Sequence, residues 1–90
     1  MVKSIVTVVG HDKVGIIANV CSLLSSHQVN VLDISQTVLQ DYFTMIMVVD
    51  TSACSMDFAA LVTELEQEGT KLGLTIHAQR EDIFNAMHRI

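Results

Sequence analysis

The chain has 90 residues, half of them apolar, with 4% aromatic residues, four glycines and no proline or tryptophan. That length holds one hydrophobic core, and the aliphatic composition excludes a disordered tail, a collagen-like repeat and a proline-rich adaptor. Ten acidic residues against five basic ones give a net charge of −5, the wrong sign for direct nucleic-acid binding.

Cys21 and Cys54 form no CxxC pattern, so they read as small hydrophobes rather than as a disulfide framework or a zinc ribbon. No signal peptide is expected, because the apolar run Ile5–Val9 is too short for its core or to span a membrane. The expectation is a cytoplasmic protein with reduced thiols, one domain over 1–90, made of a 1–80 core and an 81–90 tail.

Lys3 to Val9 is rich in β-branched residues and stops at Gly10, which predicts a first strand. A polar loop, Gly10-His11-Asp12-Lys13-Val14-Gly15, follows. Ile16, Ile17, Val20, Leu23 and Leu24 then recur at helical spacing and predict a helix ending near Ser25-Ser26-His27-Gln28. Val31 to Leu39 alternates, with Leu32, Ile34, Gln36 and Val38 on one side and Val31, Asp33, Ser35, Thr37 and Leu39 on the other. Gln40-Asp41-Tyr42 reads as a turn, and Phe43 to Val49 as a central strand. Ser52 or Ser55 is the expected cap of a second helix carrying Phe58, Leu61, Val62, Leu65 and Leu72, with Gly69 or Gly73 at its end. Leu74 to Gln79 alternates again, Leu74, Ile76 and Ala78 inward. Ile83, Phe84 and Met87 stand at helical spacing in the tail.

The order β-α-β-β-α-β plus a short C-terminal helix is that of the ferredoxin-like α+β sandwich. The expected antiparallel sheet order is 4-1-3-2. The expected inward set is Ile5, Ile17, Val20, Leu24, Ile46, Val48, Leu61, Leu65 and Ile76. Strand two is then an edge, and Leu32 to Leu39 holds no Pro, Lys or Gly to discourage pairing with a second copy.

Most chemistries that this fold carries lack their residues here. Gly10 to Gly15 has the glycine spacing of a phosphate-cradling loop, but Ile16 and Ile17 stand where Lys and Ser/Thr are required. No GxGxxG fingerprint is present. The four histidines, His11, His27, His77 and His88, show no i, i+4 pair, so no metal site is predicted. Nothing in the linear order singles out a nucleophile with a base and an orienting group. The first loop has Lys13 but no arginine to hold a phosphate, and the first strand has no aromatic to stack a base. The reading is non-enzymatic, without cofactor.

The loop itself remains. A helix beginning after Gly15 points free N–H groups and its positive end into the loop, an arrangement that accepts a carboxylate. Gly15 lets a ligand approach the backbone closely. Asp12 either meets an ammonium group on the same ligand or caps the helix. Asn30 either offers a donor and an acceptor to that ligand or sits in a turn.

The stretch VVGHDKVGIIANVCSLLSSHQVNVLDISQTV resembles the ACT domain, a small regulatory module of amino-acid metabolism. The family pattern is a strand, a loop ending Asp-Arg-Pro-Gly or similar, an aliphatic helix, and Gly-Val-Asn-Ile opening the second strand. Here the pieces read Asp12-Lys13-Val14-Gly15, Ile16 to Leu24, and Gln28-Val29-Asn30-Val31. The likeness is to free-standing single-ACT-domain bacterial proteins and, more distantly, to the tandem-ACT repressor of the glycine cleavage system. It implies a free amino acid bound at a dimer interface, by Gly10, His11, Asp12, Lys13, Val14, Gly15 and Ile16 of one subunit and by Asn30 and Val31 at the start of the second strand. Asn30 matches the Asn that reaches the ligand from the neighbouring subunit. Lys13 and Val14 replace the family's Arg and Pro. The expectation is an amino-acid-responsive homodimer acting through a partner protein; the alternative is an assembly module that binds no ligand.

Overall fold

The structure, a computed structural model, describes residues 2–11 and 15–82. Asp12, Lys13, Val14 and the expected C-terminal helix with Ile83, Phe84 and Met87 lie outside the described residues. The elements are β1 (Lys3–His11), α1 (Ile16–Ser26), β2 (Asn30–Leu39), β3 (Tyr42–Asp50), α2 (Phe58–Lys71) and β4 (Thr75–Arg80). The four strands form one antiparallel sheet in the order β2-β3-β1-β4, which is the expected 4-1-3-2 read from the other edge.

β1 runs two residues further than its β-branched run, because Gly10 pairs with Phe43 and His11 with Tyr42. Pairing likewise draws Tyr42 out of the turn and into β3, leaving Gln40-Asp41 as the loop. Gln40 there takes a left-handed φ of 53°, the conformation that short hairpin loops commonly demand.

Both helices lie on one face of the sheet. Beneath them pack Val6 and Val8 of β1, Phe43, Met45, Met47 and Val49 of β3, and Ile76 of β4, against Ile16, Val20 and Leu24 of α1 and Leu61 and Leu65 of α2. Four members of the expected inward set differ. Ile46 is 40% exposed, Val48 is half-buried, and Ile17 on α1 is 36% exposed. Ile5 is buried but stands outside the core cluster, on the face away from the helices. The run from Phe43 to Val49 is apolar at every position but Thr44, so it carries little alternation to read. Its faces are set by register, which pairs Ile46 with Thr7 and Val48 with Ile5. In β2 a bulge between Val31 and Asp33 shifts the alternation. Leu32 is turned outward, while Val31 and Ile34 both pack against the core.

Asp57, rather than either serine, caps α2, its Oδ1 accepting from the Ala60 N–H at 2.8 Å. α2 sits unusually low on β4. A Cβ at Gly69 would come within 2.8 Å of Ile76 Cγ1 and 3.1 Å of the Leu74 carbonyl oxygen, so glycine is what permits the approach.

The two helices end in the same way. In α2, Leu74 N–H donates to the Gly69 carbonyl and Gly73 N–H to that of Thr70, with Gly73 at φ 74°. In α1, Val29 N–H donates to the Leu24 carbonyl and Gln28 N–H to that of Ser25. Both are Schellman stops. In α1, however, the left-handed position is occupied by Gln28, at φ 61°. Gln28→Gly is therefore expected to raise stability by about 0.5–1 kcal/mol, read as a higher midpoint in urea with an unchanged m-value.

Asp50, the last residue of β3, ties the chain together at one end of the sheet. Its Oδ1 accepts from Ser52 N–H at 3.0 Å, Ser52 Oγ at 2.7 Å and Val2 N–H at 3.2 Å. The Ser52 backbone bond, then the Ser52 hydroxyl, holds the carboxyl below the usual aspartate range. A depressed folded pKa contributes stability above the unfolded value and loses it as pH falls through the folded one. Asp50→Asn is thus expected to lose less stability than the wild type between about pH 5 and pH 3, measured by chemical denaturation at each pH.

Candidate functional site

The loop between β1 and α1 stands where β1 runs out. Gly15 is the residue before α1, in the left-handed region at φ 86°, and its carbonyl accepts from Asn19 N–H at 2.9 Å. Only glycine adopts that φ at little cost. Among the described residues, nothing comes within 4 Å of a Cβ built there, so the space beside Gly15 is open as well as its backbone unusual. Ile16 is 5% exposed and belongs to the core; it can offer the site its N–H but not its side chain.

No acidic residue lies in the first turn of α1, and Gly15 has no side chain to accept from the first N–H groups. Among the described residues, the start of α1 is therefore electropositive and short of acceptors. α2 differs, because Asp57 already fills that role there.

Gly10 has a structural duty of its own. A Cβ there would meet Leu74 Cδ2 at 2.5 Å, so β1 runs close beneath the turn from α2 into β4. His11 is exposed, and its ring lies 5.2 Å from that of Tyr42, tilted by 31°. Tyr42, read from sequence as a turn residue, is thus the aromatic neighbour of the loop. The signal for it was present in the β2–β3 hairpin, whose pairing brings Tyr42 opposite His11.

Asn30 and Val31 lie elsewhere. Asn30 pairs with Asp50, which pairs with Lys3, whereas His11 pairs with Tyr42 at the opposite end of the sheet. Eight residue steps along β1, from Lys3 to His11, separate these rungs, roughly 27 Å at about 3.4 Å per residue. Within one protomer the loop and Asn30 do not meet. Asn30 is exposed and Val31 half-buried against the core. Asp50, beside Asn30, was missed in the sequence; an aspartate two residues before a serine at a strand end is the pattern that marks it.

Other chemistry is sparse. Among the described residues, no three His, Cys, Asp or Glu side chains gather as a metal site. Cys21 and Cys54 are free and half-buried, and Cys54 packs against the core. A shallow groove lined by Glu66, Thr70, Leu74, Thr75, Ile76 and His77 borders the β4 edge, on the far side of β1 from β2. Among the described residues, no helix is long and apolar enough to cross a membrane.

Comparison with known proteins agrees with this arrangement. The family model of the ACT domain matches residues 4–79. The chain is 57% identical over its whole length to a UPF0237 protein of Bifidobacterium longum, itself fully covered. It is 53% identical to a UPF0237 protein of Clostridium acetobutylicum, covering 98% of this chain and 99% of the relative. An ACT domain protein from Streptococcus pneumoniae superposes with a TM-score of 0.83 at 46% identity, covering 97% and 98% of the two chains. A structure assigned as a glycine cleavage system transcriptional repressor shares the fold, with a TM-score of 0.75 at 24% identity over 88% of this chain and 45% of that one. The chain belongs to the ACT domain family, a family of regulatory ligand-binding modules.

Proposed function

We propose that this protein is a non-catalytic cytoplasmic regulator that binds a free amino acid between two copies of itself and signals through a partner protein. The observation that carries this reading is the separation of the loop from Asn30. A ligand touching both must be shared between subunits.

A two-fold pairing of β2 edges would supply the geometry. β2 is the outer strand of the sheet, and beyond its bulge the straight run is Asp33 to Leu39. Antiparallel pairing of that run with its copy, centred near Gln36, carries Asn30 of each subunit to the Leu39 end of the other. That is the end holding the other subunit's loop. Three strand spacings, about 14 Å, then separate the partner strand from β1. The residues from His11 to Gly15 together with a bound amino acid are large enough to fill that gap. In this site the α1 N–H groups take the carboxylate, Asp12 takes the ammonium, and Asn30 of the second subunit closes the pocket. Gly10, His11, Lys13, Val14 and Val31 shape its walls.

A thermal-shift screen against the twenty amino acids tests the reading. The ligand is expected to stabilise by about 2.7 kcal/mol at a hundredfold excess over its Kd. Asp12→Ala is expected to weaken binding by about 1.5–3 kcal/mol without lowering the melting temperature of the free protein. Asn30→Ala should also lose binding.

Mixing the two variants is the decisive arm. Each mixed dimer regains one intact site, so about a quarter of wild-type capacity should return at equal mixing of a two-fold dimer. If no amino acid shifts the melting temperature while light scattering still reports a dimer, the protein is an assembly module instead.

A further inference from the structure

We propose that the helix-free face of the sheet is where two β2-paired dimers of this chain stack, sheet on sheet, into a tetramer. Stacking rests on the β2 pairing proposed above and adds to it a second interface made of other residues.

The ladder fixes which side chains share that face, because residues directly opposite in an antiparallel pair point the same way. Thr7, Val9 and His11 of β1 stand beside Ile46, Thr44 and Tyr42 of β3. β2 extends the face on one side and β4 on the other. Across Ile5–His11, Ser35–Leu39, Tyr42–Val48 and Thr75–Gln79 the sheet holds no Lys, Arg, Asp or Glu. His11, Tyr42 and His77 are the ionisable side chains in those runs. Charge returns only at the margins, at Lys3, Asp33, Asp41 and Asp50. α2, by contrast, carries Glu64, Glu66, Glu68 and Lys71.

Depletion of charge around an exposed tyrosine is the composition of an interface core. The aliphatic part of the face is open among the described residues, with Leu39 70%, Tyr42 55%, Ile46 40% and Val9 37% exposed. Charge also points to a second copy as the occupant. Each chain carries a net −5, so two copies repel unless they meet on a surface without acids. This face is such a surface, and it offers a charged partner nothing to pair with.

Area decides how many copies are needed. Four strands make the face about 19 Å wide, and the six residue steps from Ile5 to His11 make it about 20 Å long. One protomer thus offers roughly 400 Å², and two single protomers stacked together bury roughly 800 Å² in all, the size of a packing contact in a crystal. Antiparallel pairing of β2 with its copy keeps matching side chains on one face. Both pairs of helices then lie on one side of a continuous sheet, and both bare faces on the other. Two such dimers bury roughly 1,600 Å² when stacked, the usual size of a specific interface. Sheets pack this way at about 10 Å, with the side chains of the two inner faces interdigitating.

Sedimentation of the full-length protein tests this, with a Gln36→Cys disulfide between copies as a separate record of β2 pairing. The wild type is expected to be a tetramer. Ile46→Lys and, separately, Val9→Lys are expected to weaken tetramer formation by about a hundredfold or more and to sediment as dimers, with the Gln36→Cys cross-link still forming in each. At sites a third exposed, the lysine stem lies along the sheet and the monomer fold is kept; the second variant guards against a failure of the first. A wild type that stays a dimer at high concentration overturns the stacking, whether the face then belongs to a partner protein or to the remainder of this chain. A tetramer that survives both lysine variants overturns it as well. In either case a cross-link that forms leaves the β2 pairing standing. Absence of the cross-link in every background removes the β2 pairing, and the stacked dimers with it.

Discussion

The position of β1 between β3 and β4 is the constraint on which the rest of the molecule depends. Its antiparallel pairing on both sides decides which face each strand residue takes, and so which residues the helices cover. It sends Val6 and Val8 under the helices and leaves Ile5, Thr7 and Val9 on the other side. The same ladder sets distances along the sheet. It puts the loop after His11 at one end and the Asn30–Asp50–Lys3 rung at the other. The need for a second subunit in any site that joins them follows from strand geometry alone.

Element order and most helix positions were legible in the sequence, because they rest on periodicity and on turn residues, and the sheet order followed from that order together with the resemblance to the ACT domain. What escaped reading is what only pairing decides. Phe43 to Val49 offers an apolar side chain at nearly every position, so Ile46 and Val48 looked as suitable for the core as Met45 and Met47, which are fully buried. The β2 bulge is similarly silent, since Val31, Leu32 and Ile34 are all aliphatic and Leu32 with Ile34 satisfies a plain alternating pattern that the bulge overrides. The α2 cap was read one turn too early because Ser52 and Ser55 are good caps in isolation. Ser52 is instead engaged by Asp50, and Asp57 stands three residues before the amide it accepts from. For the site, the loop and its glycines were legible as a break between strand and helix. The separation of Gly15 from Asn30 was not, since it exists only once the strands are paired.

The two helices share a stopping device but differ in composition at the residue that bears its strain. Gly73 fills the left-handed position in α2, and Gln28 fills it in α1. The Gln28 turn leads directly into Val29, which is buried, and then Asn30. The close of α1 thereby fixes where β2 begins, and with it the placement of Asn30 at the edge of the sheet.

The start of α1 has a consequence for motion. α1 is sealed at its end by two hydrogen bonds and a buried Leu24–Val29 pair, but opens on a glycine with no acceptor of its own. Among the described residues, the first turn of such a helix is held by fewer hydrogen bonds than its last. In the proposed site, the ligand's carboxylate would do for α1 what the Asp57 carboxylate does for α2. On that proposal, binding would act as a removable cap on the first turn of α1, a change in local order at the surface of the molecule.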